Sequence, residues 1–393
     1  MKRLAGVAGA LTLLLSGCTG TPAVTPGTSG PSASPTESPS NTPTPTPTTP
    51  TARECAARIV DGMSRDERIG QLVMVGVTSG SSSELRTLRT LRIGSVIIMG
   101  THGNGVRGVR RLTDKLTWPG QRTPIVVAVD QEGGLVQRLK GSGFDTIPSA
   151  AAQARWKDAT LAANAQRWGR QMRSAGVHWT LAPVADVVPA DMTRKNAPIG
   201  ALGRGYGSDP KQVANKVTAF VEGMAAAKLA TSVKHFPGIG RVVGNTDFTA
   251  GVTDTKTRAD DPYLQSFQAA VTAGVPSVMV STVTYSRIDA KQPAVFSPRV
   301  IGLIRDKLGF DGVVISDDLG AARSMAAVPA RTRAIDFITA GGDVAITVTP
   351  SAAAAFVTGI RAAAGDPEVA DRIAESATRV VELKIGLGLV PCR

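Results

Sequence analysis

Thr231-Ser232-Val233-Lys234-His235-Phe236-Pro237-Gly238-Ile239-Gly240 carries a short apolar run into a lysine and a histidine, then into a Pro-Gly break. Gly312-Val313-Val314-Ile315-Ser316-Asp317-Asp318-Leu319 repeats this form later in the chain, and Ile125-Val126-Val127-Ala128-Val129 delivers Asp130-Gln131-Glu132-Gly133-Gly134 earlier. Continuous β-branched runs of this length suit strands buried on both faces, as in a parallel sheet. A single charge after a strand commonly caps the next helix. Three strand ends bearing acid or base, each flanked by Gly or Pro, point instead to a site at the C-terminal edge of a barrel.

Working outward, apolar runs at 72–77, 95–99, 125–129, 178–184, 231–235, 277–281, 312–316 and 343–347 alternate with Ala-, Arg- and Leu-rich segments. Segments such as 151–176, 209–228 and 260–274 have helical spacing. Strand alternating with helix predicts a parallel sheet. Eight such units in one uninterrupted region predict a single (β/α)8 TIM-type barrel, which takes about 250 residues and accepts long loops. A doubly wound open sheet is the alternative. Residues 185–208 are irregular in pattern and read as an active-site loop. The spacing Gly238-x-Gly240-x-x-x-Gly244 misses a dinucleotide fingerprint by one residue, and no convincing helix start follows it.

The chain divides into 1–17, 18–52 and 53–393. Lys2 and Arg3 precede an apolar stretch too short to span a bilayer, as in an export signal. Leu15-Ser16-Gly17-Cys18 resembles a bacterial lipobox, which implies cleavage before Cys18 and lipid on that residue. The next residues are almost wholly Thr, Pro, Ser and Gly, with Glu37 the one charge up to Thr51. They lack the apolar surface that would offset ordering entropy, so an extended tether is expected. In polyproline form it would reach about 100 Å at roughly 3.1 Å per residue. The expected location is outside the cytoplasmic membrane, anchored through Cys18.

With Cys18 assigned to lipid, Cys55 and Cys392 remain, at the two ends of the folded region and in an oxidising compartment. Barrel termini lie close, with the last helix beside the first strand, so a Cys55–Cys392 disulfide is expected; two buried free thiols are the alternative. A zinc site would need more Cys and His than this chain gathers. Without Lys2 and Arg3, 42 basic residues face 31 acidic ones, a net +11. No basic run is interleaved with aromatics, so nucleic acid is a poor inference, and an anionic membrane or wall polymer is the simpler neighbour.

Five ordered motifs then carry a resemblance to glycoside hydrolase family 3. They are Asp130-Gln131-Glu132-Gly133-Gly134-x-Val136-Gln137-Arg138, Leu181-Ala182-Pro183-Val184-Ala185-Asp186-Val187, Arg204-Gly205-Tyr206-Gly207-Ser208-Asp209-Pro210, Lys234-His235-Phe236-Pro237-Gly238 and Ser316-Asp317-Asp318-Leu319. The pattern is most similar to the single-barrel, exo-acting β-N-acetylglucosaminidases of that family. The resemblance implies a retaining mechanism with Asp317 as nucleophile. It implies sugar contacts from Asp130, Arg138, Arg204, Lys234 and His235. It implies no metal or organic cofactor and, together with the export signal, a muropeptide or related glycan as substrate; a monomer is expected.

One position departs from the family. Its acid/base is usually a His on the loop after the Lys-His-Phe-Pro-Gly strand, paired with an Asp two residues earlier. Here that triplet reads Asn245-Thr246-Asp247, and the chain's three histidines, His102, His178 and His235, include none beyond 235. Asp247 is the first candidate to replace it, giving the two-carboxylate arrangement of most retaining glycosidases. Its shorter side chain would require the loop to close further, with Gly244 and Gly251 permitting the movement. Asp254, swinging in from the same loop, is the second candidate. A weakly active or inactive sugar-binding protein is the third reading, and a two-lobed solute-binding lipoprotein is the bland alternative. An added carboxylate would hinder phosphate as acceptor, which favours hydrolysis over phosphorolysis.

Overall fold

Eight parallel strands close into a barrel in the computed structural model, which describes Gly30 and residues 50–392. They are β1 (Val73–Val77), β2 (Ser95–Ile98), β3 (Val126–Val129), β4 (Trp179–Thr180), β5 (Ala230–Phe236), β6 (Ser277–Val280), β7 (Val313–Asp318) and β8 (Val344–Thr347). Each pairs with its sequence neighbours, and β1 closes the ring by pairing with both β2 and β8. The open-sheet alternative is thereby excluded.

The alternation along each strand explains why every run reads as continuously apolar. Met74, Ile97, Val126, Ala128, Trp179, Met279, Val313, Ile315, Val344 and Ile346 fill the barrel interior. Their neighbours Val73, Val75, Val96, Ile98, Val127, Val129, Val278 and Val314 belong to the outer core beneath the helices. Both faces are dry, so the polar residues within the runs are small hydroxyls, such as Ser232 and Ser277, whose Oγ atoms bond each other at 2.7 Å.

The strand ends depart from the sequence expectation where the site lies. The run at 178–184 keeps only Trp179–Thr180 in the ladder, because Pro183 has no N–H to donate. Pairing resumes there as an isolated bridge between Val184 and Lys234. β5 and β7 run one and two residues past their expected ends, and each has a register irregularity, between Val233 and Phe236 and between Ile315 and Asp318. Bulges of this kind re-aim side chains at barrel rims. They fall on Lys234-His235 and on Ser316-Asp317. Residues 185–208 contain only two three-residue 3-10 turns, so the long loop is irregular as its sequence reads.

The last helix, Pro367–Gly386, is placed differently from the expectation. It packs on the helices Ala52–Asp61 and Arg65–Gln71 that precede β1, rather than beside β1 itself. Those helices carry the chain under the barrel's N-terminal end, where Val380, Leu383 and Leu387 join the interior cluster as its floor. Lys384, fully buried there, donates to Gln71 Oε1 at 2.6 Å and Thr123 Oγ1 at 3.1 Å, and burial lowers its ammonium to about 7. Cys55 and Cys392 are disulfide-bonded across this floor with Cα atoms 5.4 Å apart. The link spans 337 residues, so most of its contribution comes from restricting the unfolded chain. Cys55→Ser is expected to cost about 2–4 kcal/mol, read as a lowered denaturant midpoint that reductant also produces in the wild type. Cys18 lies outside the described residues. Among those described, no helix is long and apolar enough to cross a membrane, and no cluster of His, Cys, Asp or Glu could hold a metal ion.

Candidate active site

The C-terminal ends of the strands surround a cavity of about 600 Å³. Its walls include Asp130, Arg138, Arg204, Lys234, His235, Asp247 and Asp317. All seven residues singled out from the sequence for catalysis or sugar contact therefore meet in one space.

A buried ion network forms one side. Lys234 Nζ, at the end of β5, lies 2.8 Å from Asp130 Oδ1 and 2.8 Å from Glu132 Oε1. Arg204 grips Glu132 with two bonds, Nε to Oε2 at 2.9 Å and Nη2 to Oε1 at 2.7 Å, and its Nη1 donates to Pro198 O at 2.8 Å. Burial alone would raise the Glu132 carboxyl, but Arg204 and Lys234 outweigh it and hold it well below the ordinary range. Burial would lower Lys234, yet Asp130 and Glu132 reverse the sign and raise it. The hub Glu132 was not among the residues singled out. It is turned inward by the hairpin of Gln131–Gly133 and Val136–Gln137, where Gly133 has φ +105° and a Cβ would strike the Pro148 carbonyl. Glu132→Gln keeps the shape but removes the charge between two buried cations. A stability loss of about 3 kcal/mol is expected, read as a shifted denaturant midpoint.

The same hairpin sets Arg138. Gln131 Oε1 accepts from Arg138 N at 3.1 Å and Leu139 N at 3.0 Å, pinning the backbone while the guanidinium reaches the cavity. Its Nε is buried without a hydrogen-bond partner among the described residues. A buried donor left unmatched in a cavity wall suits a ligand oxygen better than a structural ion pair. His235 is also oriented from behind. Its Nδ1 lies 2.7 Å from Oδ2 of the wholly buried Asp186, whose Oδ1 accepts from Ile239 N at 2.7 Å. A carboxylate on Nδ1 fixes the proton there and leaves Nε2 as the other ring nitrogen of this cavity-lining residue. Asp186 too escaped the sequence reading, although its motif was recognised.

Two adjacent acids end β7, and their contacts separate them. Asp318 accepts four backbone N–H bonds: Gly320 and Val348 at 3.0 Å on Oδ1, and Ala321 at 2.8 Å and Ala322 at 3.0 Å on Oδ2. It is the staple of the loop. Asp317 accepts one bond among the described residues, from Asp318 N at 2.8 Å on Oδ1, and is left to face the cavity.

Asp247 arrives on a docked turn. Asn245 Oδ1 accepts from Asp247 N at 2.9 Å, while Arg323 N donates to Asp247 O and Ser324 N to Thr246 O, both at 3.1 Å. The loop thus already rests on the segment after β7, and no further closure is needed to bring Asp247 into the cavity wall. Burial, and next the charge of Asp317, push the Asp247 carboxyl up to about 6. Asp254 is excluded as an alternative. It is 2% exposed and committed to Lys256 N, Thr257 N and Thr257 Oγ1 at 2.6–2.8 Å.

A barrel that gathers ion-paired donors, a free strand-end carboxylate and a second carboxyl of raised proton affinity in one cavity defines an enzyme of the glycosidase class. Comparison with known proteins agrees. The family described as "Glycosyl hydrolase family 3 N terminal domain" matches residues 64–383. A β-hexosaminidase of Stenotrophomonas maltophilia (strain R551-3) is 37% identical over 240 residues, 58% of this chain and 68% of that protein. One from Xanthomonas oryzae pv. oryzae (strain KACC10331 / KXO85) is 32% identical over 292 residues, 71% of this chain and 84% of the relative. The crystal structure of a β-N-acetylhexosaminidase from Beutenbergia cavernae superposes with a TM-score of 0.78 at 41% identity, covering 81% of this chain and 97% of the other. The chain belongs to glycoside hydrolase family 3, and it is a glycoside hydrolase.

Proposed function

We propose that this protein is a retaining exo-β-N-acetylglucosaminidase working through a glycosyl-enzyme on Asp317, with Asp247 as acid/base. The observation that carries this reading is the pair of unlike carboxyls facing one cavity. Asp317 is free of the backbone bonds that occupy Asp318, and Asp247 is raised to about 6 by burial and then by the Asp317 charge. The named activities of the relatives above supply the N-acetylated sugar.

In the first half-reaction an Asp317 carboxylate oxygen bonds to the anomeric carbon as the glycosidic bond breaks. The Asp247 proton passes to the leaving oxygen, so the aglycone departs as an alcohol. Esterification then removes the Asp317 charge. One of the causes raising Asp247 disappears with it, and the carboxylate form that must act as base is favoured. In the second half-reaction Asp247 takes a proton from water, whose oxygen bonds to the anomeric carbon while the ester to Asp317 breaks. Two inversions leave the sugar in its original β configuration. Asp130 and His235 Nε2 accept from sugar hydroxyls, and Lys234, Arg204 and Arg138 donate to sugar oxygens.

The wall substrate and the location rest on residues 1–52. An export signal ending at a lipobox and a Thr/Pro/Ser tether would hold the barrel outside the cytoplasmic membrane, among muropeptides. The testing experiment is release of 4-nitrophenol from the β-N-acetylglucosaminide beside the matching β-glucoside. The reading expects turnover of the N-acetylated substrate well above that of the glucoside. Preference for the glucoside would overturn the sugar assignment, and turnover of neither would overturn the hydrolase assignment.

A further inference from the structure

Among the described residues the exposed large apolar side chains are Phe248 at 81%, Leu135 at 76%, Val243 at 61% and Leu202 at 36%. They come from three stretches of the sequence, and each lines the cavity or adjoins a residue that does. Phe248 and Leu202 line the cavity itself. Leu135 adjoins the lining residue Val136 at the turn of the hairpin. Val243 O accepts from Ala197 N at 3.2 Å, beside the lining residue Pro198. Single exposed apolar residues are ordinary on a protein surface, whereas a set confined to one mouth indicates a ligand.

The chemistry of the site says which part of the ligand this is. Asp247 delivers its proton to the glycosidic oxygen, so the leaving group lies beside Asp247 when the bond breaks. Phe248 is the next residue and stands on the same turn, where Asn245 O accepts from Phe248 N at 3.0 Å and from Thr249 N at 2.8 Å. The docking of Thr246 and Asp247 onto Ser324 and Arg323 holds the turn, so the ring is presented from a fixed backbone. The donor sugar meets the opposite chemistry, the ionic network of Asp130, Glu132, Lys234 and Arg204. One cavity therefore has a charged side for hydroxyls and an apolar lip next to the acid. A pyranose offers its axial C–H face to such a lip, and an aromatic ring receives it well.

We propose that Phe248, assisted by Leu202, is a leaving-group platform that selects aglycones presenting the apolar face of a ring. The inference rests on the hydrolase reading above and adds the side of the substrate that reading leaves open. It makes the next sugar of a chain a better leaving-group partner than a small alcohol of similar acidity.

The test compares full-length wild type with Phe248→Ser on two substrates, N,N′-diacetylchitobiose and methyl β-N-acetylglucosaminide. Both release an alkyl alcohol, so their demand for acid assistance is alike and the ratio of their kcat/KM values isolates the ring contact. The ratio is expected to fall about tenfold in Phe248→Ser, chiefly through KM for the disaccharide. Leu202→Ser is expected to lower it in the same direction by less. An unchanged ratio in both variants, including equal losses on the two substrates, overturns the platform while leaving the hydrolase reading intact. Failure of wild type to release sugar from either substrate overturns that reading, and the platform with it.

Discussion

Asp317→Asn is expected to lower kcat/KM on an aryl β-N-acetylglucosaminide by about 10⁴- to 10⁶-fold, the scale seen when a covalent nucleophile is removed. The amide is nearly isosteric, so the cavity keeps its shape. Asp317 accepts one short-range bond among the described residues, whereas its neighbour Asp318 fastens four backbone N–H groups. The unfolding free energy of Asp317→Asn, read from denaturant melts, should therefore stay within about 0.5 kcal/mol of wild type. Asp318→Asn provides the contrast. Its amide nitrogen cannot accept the bonds of one carboxylate oxygen, so its main effect should be on stability. Similar stability losses in both variants would contradict the division of labour between these two acids.

Asp247→Ala is expected to act through the leaving group. Methyl β-N-acetylglucosaminide, whose departing oxygen needs a proton, should lose about 10²- to 10⁴-fold in kcat/KM. The 4-nitrophenyl glycoside should lose much less, because its phenolate leaves unaided. Azide should restore turnover of the aryl substrate by attacking the glycosyl-enzyme without base help, giving the β-glycosyl azide. The pH dependence follows with a definite sign. Asp247 is raised to about 6 by burial and then by Asp317, so the protonated acid is present below that value and lost above it. Wild-type kcat/KM should accordingly fall as pH rises through about 6, and that limb should vanish in Asp247→Ala. Equal losses on the two substrates would remove Asp247 from the acid role.

These expectations depend on contacts that the sequence reveals unevenly. The eight strands are legible because a barrel strand is dry on both faces, and runs such as Val313-Val314-Ile315 have no surface reading. Asp317 and Lys234 are legible because they interrupt such runs at their ends. Glu132 and Asp186 are not, although each sits inside a recognised motif. Their partners lie 72 and 49 residues away, Arg204 for one and His235 for the other, and only closure of the barrel brings them together. Nothing local distinguishes Glu132 from a solvated hairpin acid. The hairpin that turns it inward is set by Gly133 and by the side-chain amide of Gln131.

The Asp247 loop shows the opposite case. Counting along the family pattern placed a carboxyl where a His is usual, but the shorter side chain suggested that the loop must move. The docking of Thr246 and Asp247 onto Ser324 and Arg323 supplies the approach instead, through backbone bonds that carry no side-chain signature. Phe248 was equally invisible, since one aromatic after an acid in an irregular loop is unremarkable until its exposure and its neighbours are known. The helix floor is a third instance. Nothing local marks Lys384 as buried, and only its bonds to Gln71 and Thr123 show that it points into the floor beneath the barrel.

The covalent role of Asp317 is tested most directly by trapping. A 5-fluoro N-acetylglucosaminyl fluoride slows both half-reactions, while its fluoride leaving group keeps formation of the intermediate ahead of its hydrolysis. Incubation with the wild type followed by intact-mass and peptide analysis should show one added fluorosugar, carried on the peptide containing Asp317. An adduct on another carboxylate, or turnover with no enzyme-bound sugar at all, would contradict the account and hand the nucleophile's role to a different group, the substrate's own acetamide included.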